Sequence, residues 1–170
     1  MKPNEIILEY PHPEIKRAKI DTFIPPKNGK DGVAIEFKFD RKIPSGRNTP
    51  RTQKAGKVFA DIFRLALLNF DNVKRYFVYV TDKEMATYFQ NTSNYFKDFF
   101  DLKSEEKLII NEEYLHRRPT TFIKSIDVKK TASVLENVIS TEFLTGFWMR
   151  IYRVNQFGVK PSGTLKLTIS

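Results

Sequence analysis

The stretch VAIEFKF at residues 33–39 decides how the first half of this chain folds. Polar and apolar side chains alternate at its centre, and this period of two predicts a β-strand. The apolar face of that strand carries Val33, Ile35, Phe37 and Phe39. The opposite face carries Ala34 followed by Glu36 and Lys38, so a carboxylate and an ammonium group lie within a strongly apolar strand. Charges in such a setting need a physical reason, because burying them unpaired is costly.

The preceding segment predicts a second strand and a hairpin turn. Residues 17–25 (RAKIDTFIP) alternate roughly between polar and apolar side chains, with Asp21 at their centre. The sequence that follows, PKNGKDG, contains Asn28-Gly29 and Asp31-Gly32, and both pairs are typical of tight hairpins. Strands joined in this way pair antiparallel, so we expect Asp21 to lie close to Glu36 and Lys38.

Two carboxylates and one lysine in a small area favour hydrolysis of phosphodiester bonds. The carboxylates repel each other, and burial disfavours their charged forms. A divalent cation bound between them would relieve this repulsion. Mg²⁺ prefers a few carboxylates together with waters and phosphate oxygens. Such an ion polarises the phosphate and activates water, while Lys38 would orient that water and stabilise charge in the transition state.

The remaining segments complete an α/β pattern. Further strands are expected at 5–10, 75–81, 107–111, 121–128, 147–154 and 164–169. Helices are expected at 52–69, where apolar residues recur at helical spacing, and at 82–100, which residues 91–94 interrupt. A meander of strands that feeds a helix and another strand predicts a mixed central sheet flanked by helices.

With these elements in order, the sequence resembles the PD-(D/E)XK nuclease superfamily, which has the restriction-endonuclease-like fold. The resemblance rests on RAKIDTFI at 17–24, VAIEFKF at 33–39, the helix that carries Gln53, and the strand RYFVYV at 75–80. It implies a single domain, with a nuclease core over 1–105 and a basic extension over 106–170 that packs on the same domain.

The resemblance also implies roles for individual residues. Asp21 and Glu36 would bind Mg²⁺, for which Mn²⁺ would substitute, and the backbone carbonyl of Phe37 would be a third ligand. Lys38 would position the nucleophilic water, and Gln53 would assist from the helix. Many members place an acidic residue on a helix before the first strand, and here we expect Glu5 or Glu9 to take its place.

Two basic regions predict a polyanionic partner, with DNA favoured. Six basic residues and no acidic residue lie between positions 41 and 57: Arg41, Lys42, Arg47, Arg51, Lys54 and Lys57. They would follow a phosphate backbone beside the metal site. A second phosphate-binding surface, or an ordinary polar face, would be formed by Arg117, Arg118, Lys124, Lys129, Lys130, Arg150 and Arg153.

Composition limits the other functions that this chain could have. It has 170 residues, a formal charge of +9 and no cysteine, which excludes disulfides, cysteine zinc sites and thiol catalysis. With only two histidines, a histidine-rich metal site is not expected. No signal-peptide pattern and no apolar run of about 20 residues is present, so we expect a cytoplasmic protein without membrane association.

Two other interpretations remain open. The chain could be a catalytically inactive relative of such nucleases that binds nucleic acid or serves as a subunit of a larger complex. It could also be a small basic interaction protein in which Glu36 and Lys38 form a simple ion pair. A homodimer or a partner subunit fits the first of these and the active nuclease equally well.

Overall fold

The computed structural model describes residues 5–42, 49–143 and 145–156. Its strands are β1 (Ile7–Pro11), β2 (Lys19–Ile24), β3 (Gly32–Asp40), β4 (Val73–Asp82), β5 (Lys107–Ile110), β6 (Ser133–Phe143) and β7 (Phe147–Gln156). Its α-helices are α1 (Arg51–Ala66), α2 (Lys83–Gln90), α3 (Lys97–Phe100), α4 (Glu112–His116) and α5 (Thr120–Lys124). A single 3₁₀ turn at Thr92–Asn94 separates α2 from α3.

One seven-stranded mixed sheet, in the order β1-β2-β3-β4-β7-β6-β5, forms the centre of the molecule. The first three strands are an antiparallel meander. β3 and β4 are parallel because α1 connects them and returns the chain to the same end of the sheet. The other half of the sheet is antiparallel throughout. This is the mixed α/β architecture that the sequence predicts.

The β2–β3 connection is the tight hairpin that Asn28-Gly29 predicts. Both residues have positive φ angles, 53° and 73°, and Lys27 pairs with Lys30 across them. Gly32 is required for a different reason, since a Cβ atom there would lie 2.6 Å from the carbonyl oxygen of Ile24. The hairpin sets the register that brings Thr22 opposite Ile35.

In the described part of the chain, every helix packs on the same face of the sheet. The layer between them is aromatic, with fully buried Phe59, Phe89, Phe96, Phe99, Phe122 and Tyr152. Their ring centroids lie 4.9 to 5.8 Å apart in the pairs that contact. Because α1 lies at the centre of this layer, its inward side chains meet β3 and β4.

The other side of the sheet has no helix over it within residues 5–42, 49–143 and 145–156. We call it the open face and define it by Phe37, Phe39, Val78, Val80, Met149 and Ile151. The side chains of Phe37 and Phe39 are more than half exposed. The alternation of β3 is therefore as predicted, but its charged side is the buried one and its aromatic side faces outward.

Several local expectations need correction. Residues 121–128 are not a strand, because Phe122, Ile123 and Ile126 follow helical spacing and α5 covers 120–124. The strand β6 and the short helix α4 were not predicted. The break expected at 91–94 is confirmed, since Asn91 accepts a hydrogen bond from the Ser93 N–H and opens the 3₁₀ turn. The strand expected at 164–169 lies outside the described residues.

The C-terminal segment is part of the sheet. It supplies three of the seven strands, and β7 pairs directly with β4 from Asp82 to Tyr76.

Among the described residues, no helix is long and apolar enough to cross a membrane.

Candidate active site

Asp21 is held against β3 by a backbone hydrogen bond. Its Oδ2 accepts a bond from the Phe37 N–H at 2.7 Å. Since Thr22 pairs with Ile35, the next position along each strand brings Asp21 beside Glu36. The two carboxyl groups are close enough for Asp21 to contribute to the raised pKa of Glu36, in agreement with the proximity that the hairpin predicts.

Glu36 is an almost fully buried carboxyl group, with 2% of its surface exposed. Burial, with a smaller effect from Asp21 and Asp61, raises its pKa to about 8, although Arg64 acts in the opposite direction. At neutral pH this carboxyl group therefore holds a proton for most of the time. A cation placed against it would displace that proton.

Lys38 reaches α1, the helix above it. Its Nζ lies 3.4 Å from Oδ2 of Asp61, and both side chains are largely buried. Burial raises the pKa of Asp61, while Lys38 and Arg64 partly reverse the shift. The ammonium group of Lys38 is thus held at a fixed position two residues beyond Glu36.

Arg64 connects the two buried carboxyl groups. Its Nη1 donates to Oε1 of Glu36 at 3.2 Å, and its Nη2 lies 3.2 Å from Oδ1 of Asp61. Although burial alone would lower the pKa of Arg64, Glu36 and Asp61 raise it. We call Asp21, Glu36, Lys38, Asp61 and Arg64 the charged cluster.

The sequence indicated Asp21, Glu36 and Lys38 but not Asp61 and Arg64 as members of this cluster. Their position in the sequence indicates that they are buried. Both lie on a largely apolar helix, next to residues such as Phe59, Ile62 and Phe63, which are buried. A charged pair on the inward side of such a helix must meet other charges across the interface. The i, i+3 ion pair itself is the helix pair that this spacing predicts.

His12 fixes the end of α1 that carries Arg64. Its Nδ1 accepts hydrogen bonds from the N–H groups of Glu14 and Ile15, so the proton is on Nε2. Nε2 then donates to the backbone carbonyl of Arg64 at 2.9 Å. Burial lowers the pKa of His12, which keeps the ring neutral and suited to this bonding pattern.

Gln53 and the two N-terminal acids lie apart from these contacts. Gln53 is two turns before Asp61 on α1, about 12 Å along the helix, and in the described chain its side chain makes no hydrogen bond to Asp21, Glu36 or Lys38. Glu9 is exposed and pairs with Lys19 at 2.6 Å, which lowers its pKa. Glu5 is exposed. The third carboxylate of the cluster is Asp61.

Three of the basic residues expected beside the site, Lys42, Arg51 and Lys57, have acidic partners that come from elsewhere in the sequence. Lys42 and Arg51 lie 3.9 and 4.0 Å from Glu84, and Lys57 lies 2.6 Å from Asp127. Arg41 is exposed, with its guanidinium 5.9 Å from the Phe39 ring centroid, and its carbonyl accepts a bond from Lys54. Arg47 lies outside the described residues.

Two arginines of the C-terminal basic set are buried. The guanidinium of Arg118 lies 3.9 Å from the ring centroid of Tyr114 and 3.7 Å from Asp98. Arg150 donates to the backbone carbonyl of Phe100. Because both stabilise the packing of the helical layer, neither is available to a phosphate, whereas Arg117 and Lys124 are exposed.

Asp21 and Glu36 are carboxyl groups, the ligand type that Mg²⁺ prefers in proteins. The described residues contain no group of three or more acidic, histidine or cysteine side chains around one ion position. Proteins nonetheless often bind Mg²⁺ through one or two carboxylates, while waters and phosphate oxygens complete its coordination shell. Burial, with a smaller effect from Asp21, raises the pKa of Glu36, and a cation between the two carboxyl groups would favour their charged forms.

In comparisons with protein-family models, with curated proteins and with solved structures, nothing matches this chain. The fold and the site therefore define the class by themselves: an α/β protein with a charged cluster between its sheet and its central helix.

Proposed function

We propose that this chain has a restriction-endonuclease-like core and is a magnesium-dependent nuclease that hydrolyses phosphodiester bonds, with DNA as the favoured substrate. The observation that supports this most directly is the hydrogen bond that holds Asp21 against the Phe37 N–H, beside Glu36 and with Lys38 next on the same face of β3. Two neighbouring carboxyl groups beside an ammonium group that an ion pair holds in place form a site suited to a cation and a phosphate.

The residues divide the work between them. Asp21, Glu36 and the carbonyl of Phe37 would hold Mg²⁺, which supplies charge neutralisation and Lewis acidity when bound. Lys38 orients the attacking water and stabilises the developing negative charge on the phosphate. Asp61 acts as a positioning residue, because it holds the Lys38 Nζ at 3.4 Å. Gln53, near the start of α1, would contact the substrate.

The substrate backbone would contact exposed basic residues at the end of β3 and the start of α1. Arg41, Lys42 and Arg51 are all exposed there. The ion pairs of Lys42 and Arg51 with Glu84 are long and solvent-exposed, so each is weak and easily exchanged for a phosphate contact. DNA binding by this surface should therefore weaken steeply as salt increases.

The test is cleavage of supercoiled plasmid DNA by the parent chain in Mg²⁺ and in EDTA. We expect nicked and linear products only with the metal, and we expect Lys38→Ala to slow cleavage by at least about 100-fold, a typical contribution for a group that acts on water. Fluorescence anisotropy should find DNA affinity within a few-fold of the parent.

Lys74→Ala is the matched control. Lys74 is an exposed strand lysine that pairs with Asp31 at 3.1 Å, away from the charged cluster. Its cleavage rate should equal that of the parent. If the parent cleaves neither duplex nor single-stranded DNA nor RNA in Mg²⁺ or Mn²⁺, or if Lys38→Ala cleaves at the parental rate, the proposal is wrong.

One observation favours a second candidate, an inactive nuclease-like protein that binds nucleic acid. Arg64 already supplies positive charge to Glu36 and Asp61, so the buried acids are partly neutralised without a metal. In that case calorimetry would detect no Mg²⁺ binding, while DNA would still bind with a strong salt dependence. The two candidates are separated by the metal titration alone.

A further inference from the structure

We propose that Arg64 takes the place of a second metal ion in the charged cluster, so that the site holds one divalent cation and not two. The inference rests on the proposed function, because it concerns the metal that the nuclease would use. It goes beyond that function by assigning a role to Arg64, a residue of α1 and not of the strands that carry the expected ligands.

The number of carboxyl groups in the cluster leaves the number of ions open. Three are present, Asp21, Glu36 and Asp61, and enzymes with two-metal sites hold their ions about 3.5 to 4 Å apart. Each ion needs carboxylate oxygens that no other cation already holds. The contacts of the individual oxygen atoms therefore decide between one ion and two.

Both oxygens of Asp61 already face a cation. Oδ1 lies 3.2 Å from Nη2 of Arg64, and Oδ2 lies 3.4 Å from Nζ of Lys38. The side chain of Asp61 is only 11% exposed, so water screens these contacts far less than it screens a surface ion pair. A metal ion at Asp61 would have to displace a guanidinium or an ammonium group from a buried position. Asp61 is therefore not available as a metal ligand.

Glu36 and Asp21 each keep one oxygen for a metal. Nη1 of Arg64 donates to Oε1 of Glu36 at 3.2 Å. The Phe37 N–H donates to Oδ2 of Asp21 at 2.7 Å. Among the residues that the structure describes, no N–H donor is bonded to Oε2 of Glu36 or to Oδ1 of Asp21. One oxygen from each of two carboxyl groups is what a single Mg²⁺ needs, since waters and phosphate oxygens complete its shell.

The guanidinium group of Arg64 has the properties of a permanent bridging cation. It is always charged, and it donates from two nitrogens to two different carboxyl groups, Glu36 and Asp61. Its side chain is 22% exposed, and His12 donates to the backbone carbonyl of the same residue at 2.9 Å. Both the backbone and the side chain of Arg64 are thus held in place. Unlike a metal ion, this cation cannot dissociate from the site.

The test counts the Mn²⁺ ions that each full-length chain binds without nucleic acid, from the electron paramagnetic resonance signal of free Mn²⁺. The parent should bind one ion with a single-site curve. Arg64→Met frees Oε1 of Glu36 and Oδ1 of Asp61, so this variant should bind two ions, about a twofold rise at saturation. The spectrum of the bound ions should then show the coupling of a close pair.

Arg64→Gln and Arg117→Met complete the set of variants. Glutamine keeps a donor beside the two carboxyl groups but removes the charge, so Arg64→Gln should also bind two ions if Arg64→Met fails to fold by circular dichroism. Arg117 is an exposed arginine that pairs with Glu113, and Arg117→Met should bind one ion like the parent. Two ions in this control would overturn the inference, because the effect would not be specific to Arg64.

A parent that binds two ions overturns the inference and leaves the proposed function standing, and so does a folded Arg64 variant that still binds one. The count in the parent decides the question even if neither Arg64 variant folds. A parent that binds one ion but cleaves no nucleic acid contradicts the proposed function alone. A parent that binds no Mn²⁺ contradicts both.

Discussion

The two sides of β3 reverse the usual relation between polarity and burial. On the helix side, Glu36 is 2% exposed and Lys38 is largely covered. On the open face, Phe37 and Phe39 are more than half exposed. The charged residues are the buried ones because α1 brings Asp61 and Arg64 within 3.4 Å of them.

This difference teaches that burial along one strand is decided by what lies opposite each side. A buried charge is tolerated where partners satisfy it, and breaking such a set is costly because one charge then remains without a partner. Exposed apolar side chains are common on folded proteins, so the aromatic side of β3 needs no such partners. The next experiments measure how unequal the two sides are.

The largest effect should come from comparing two phenylalanines on opposite sides of the sheet. Phe77 on β4 is fully buried under the helical layer, and Phe77→Ala should lower the free energy of unfolding by about 4 kcal/mol. Phe39→Ala on the open face should cost about 1 kcal/mol or less. Urea titrations of the two variants and the parent give both values.

Equal losses for the two variants would contradict the comparison. That result would mean that the open face is covered within the monomer. A shift in the slope of the urea transition would instead report a change in the area exposed on unfolding.

A smaller effect is expected when the charged cluster loses its connecting residue. Arg64→Met keeps most of the side-chain volume but leaves Glu36 and Asp61 without the guanidinium, and it should cost about 3 kcal/mol. Arg117→Met is the control, because Arg117 makes only an exposed pair with Glu113 and should cost less than 0.5 kcal/mol. If both variants unfold at the same urea concentration, the cluster contributes nothing to stability.

The smallest effect should be a pH dependence that belongs to Glu36. Its pKa of about 8 in the folded protein lies above the ordinary value of 4.5, so the folded state holds a proton that the unfolded chain releases. The resulting stabilisation is complete below about pH 4.5 and is lost as pH rises toward and through 8. The free energy of unfolding should therefore fall by about 2 kcal/mol more in the parent than in Glu36→Gln between pH 5 and pH 6.5.

Parallel curves for the parent and Glu36→Gln across this window would show that Glu36 is ionised throughout. Comparing the two proteins removes the contributions of Asp61 and Asp40, whose pKa values burial also raises. The difference curve thus isolates one carboxyl group.

Local rules were sufficient to predict the hairpin and three members of the cluster. Asn28-Gly29 specifies a turn that needs two positive φ angles, and the alternation of β3 places Glu36 and Lys38 on one side. The same local rules did not predict contacts between residues that are far apart in the sequence. Asp61 lies 40 positions after Asp21, and nothing local indicates that its partner is Lys38. The strand β6 was missed because its polar residues interrupt the alternation and a register shift occurs between Asn137 and Ile139.

The sequence by itself determined the order of the first six elements, the mixed sheet and the proximity of Asp21 to Glu36, because backbone geometry and turn chemistry act over a few residues. Only the tertiary structure decided which side of β3 is buried, that Arg64 and Asp61 complete the cluster, and that Arg118 and Arg150 belong to the core. Those outcomes depend on how α1 packs over the sheet, and packing joins residues that are far apart in the chain.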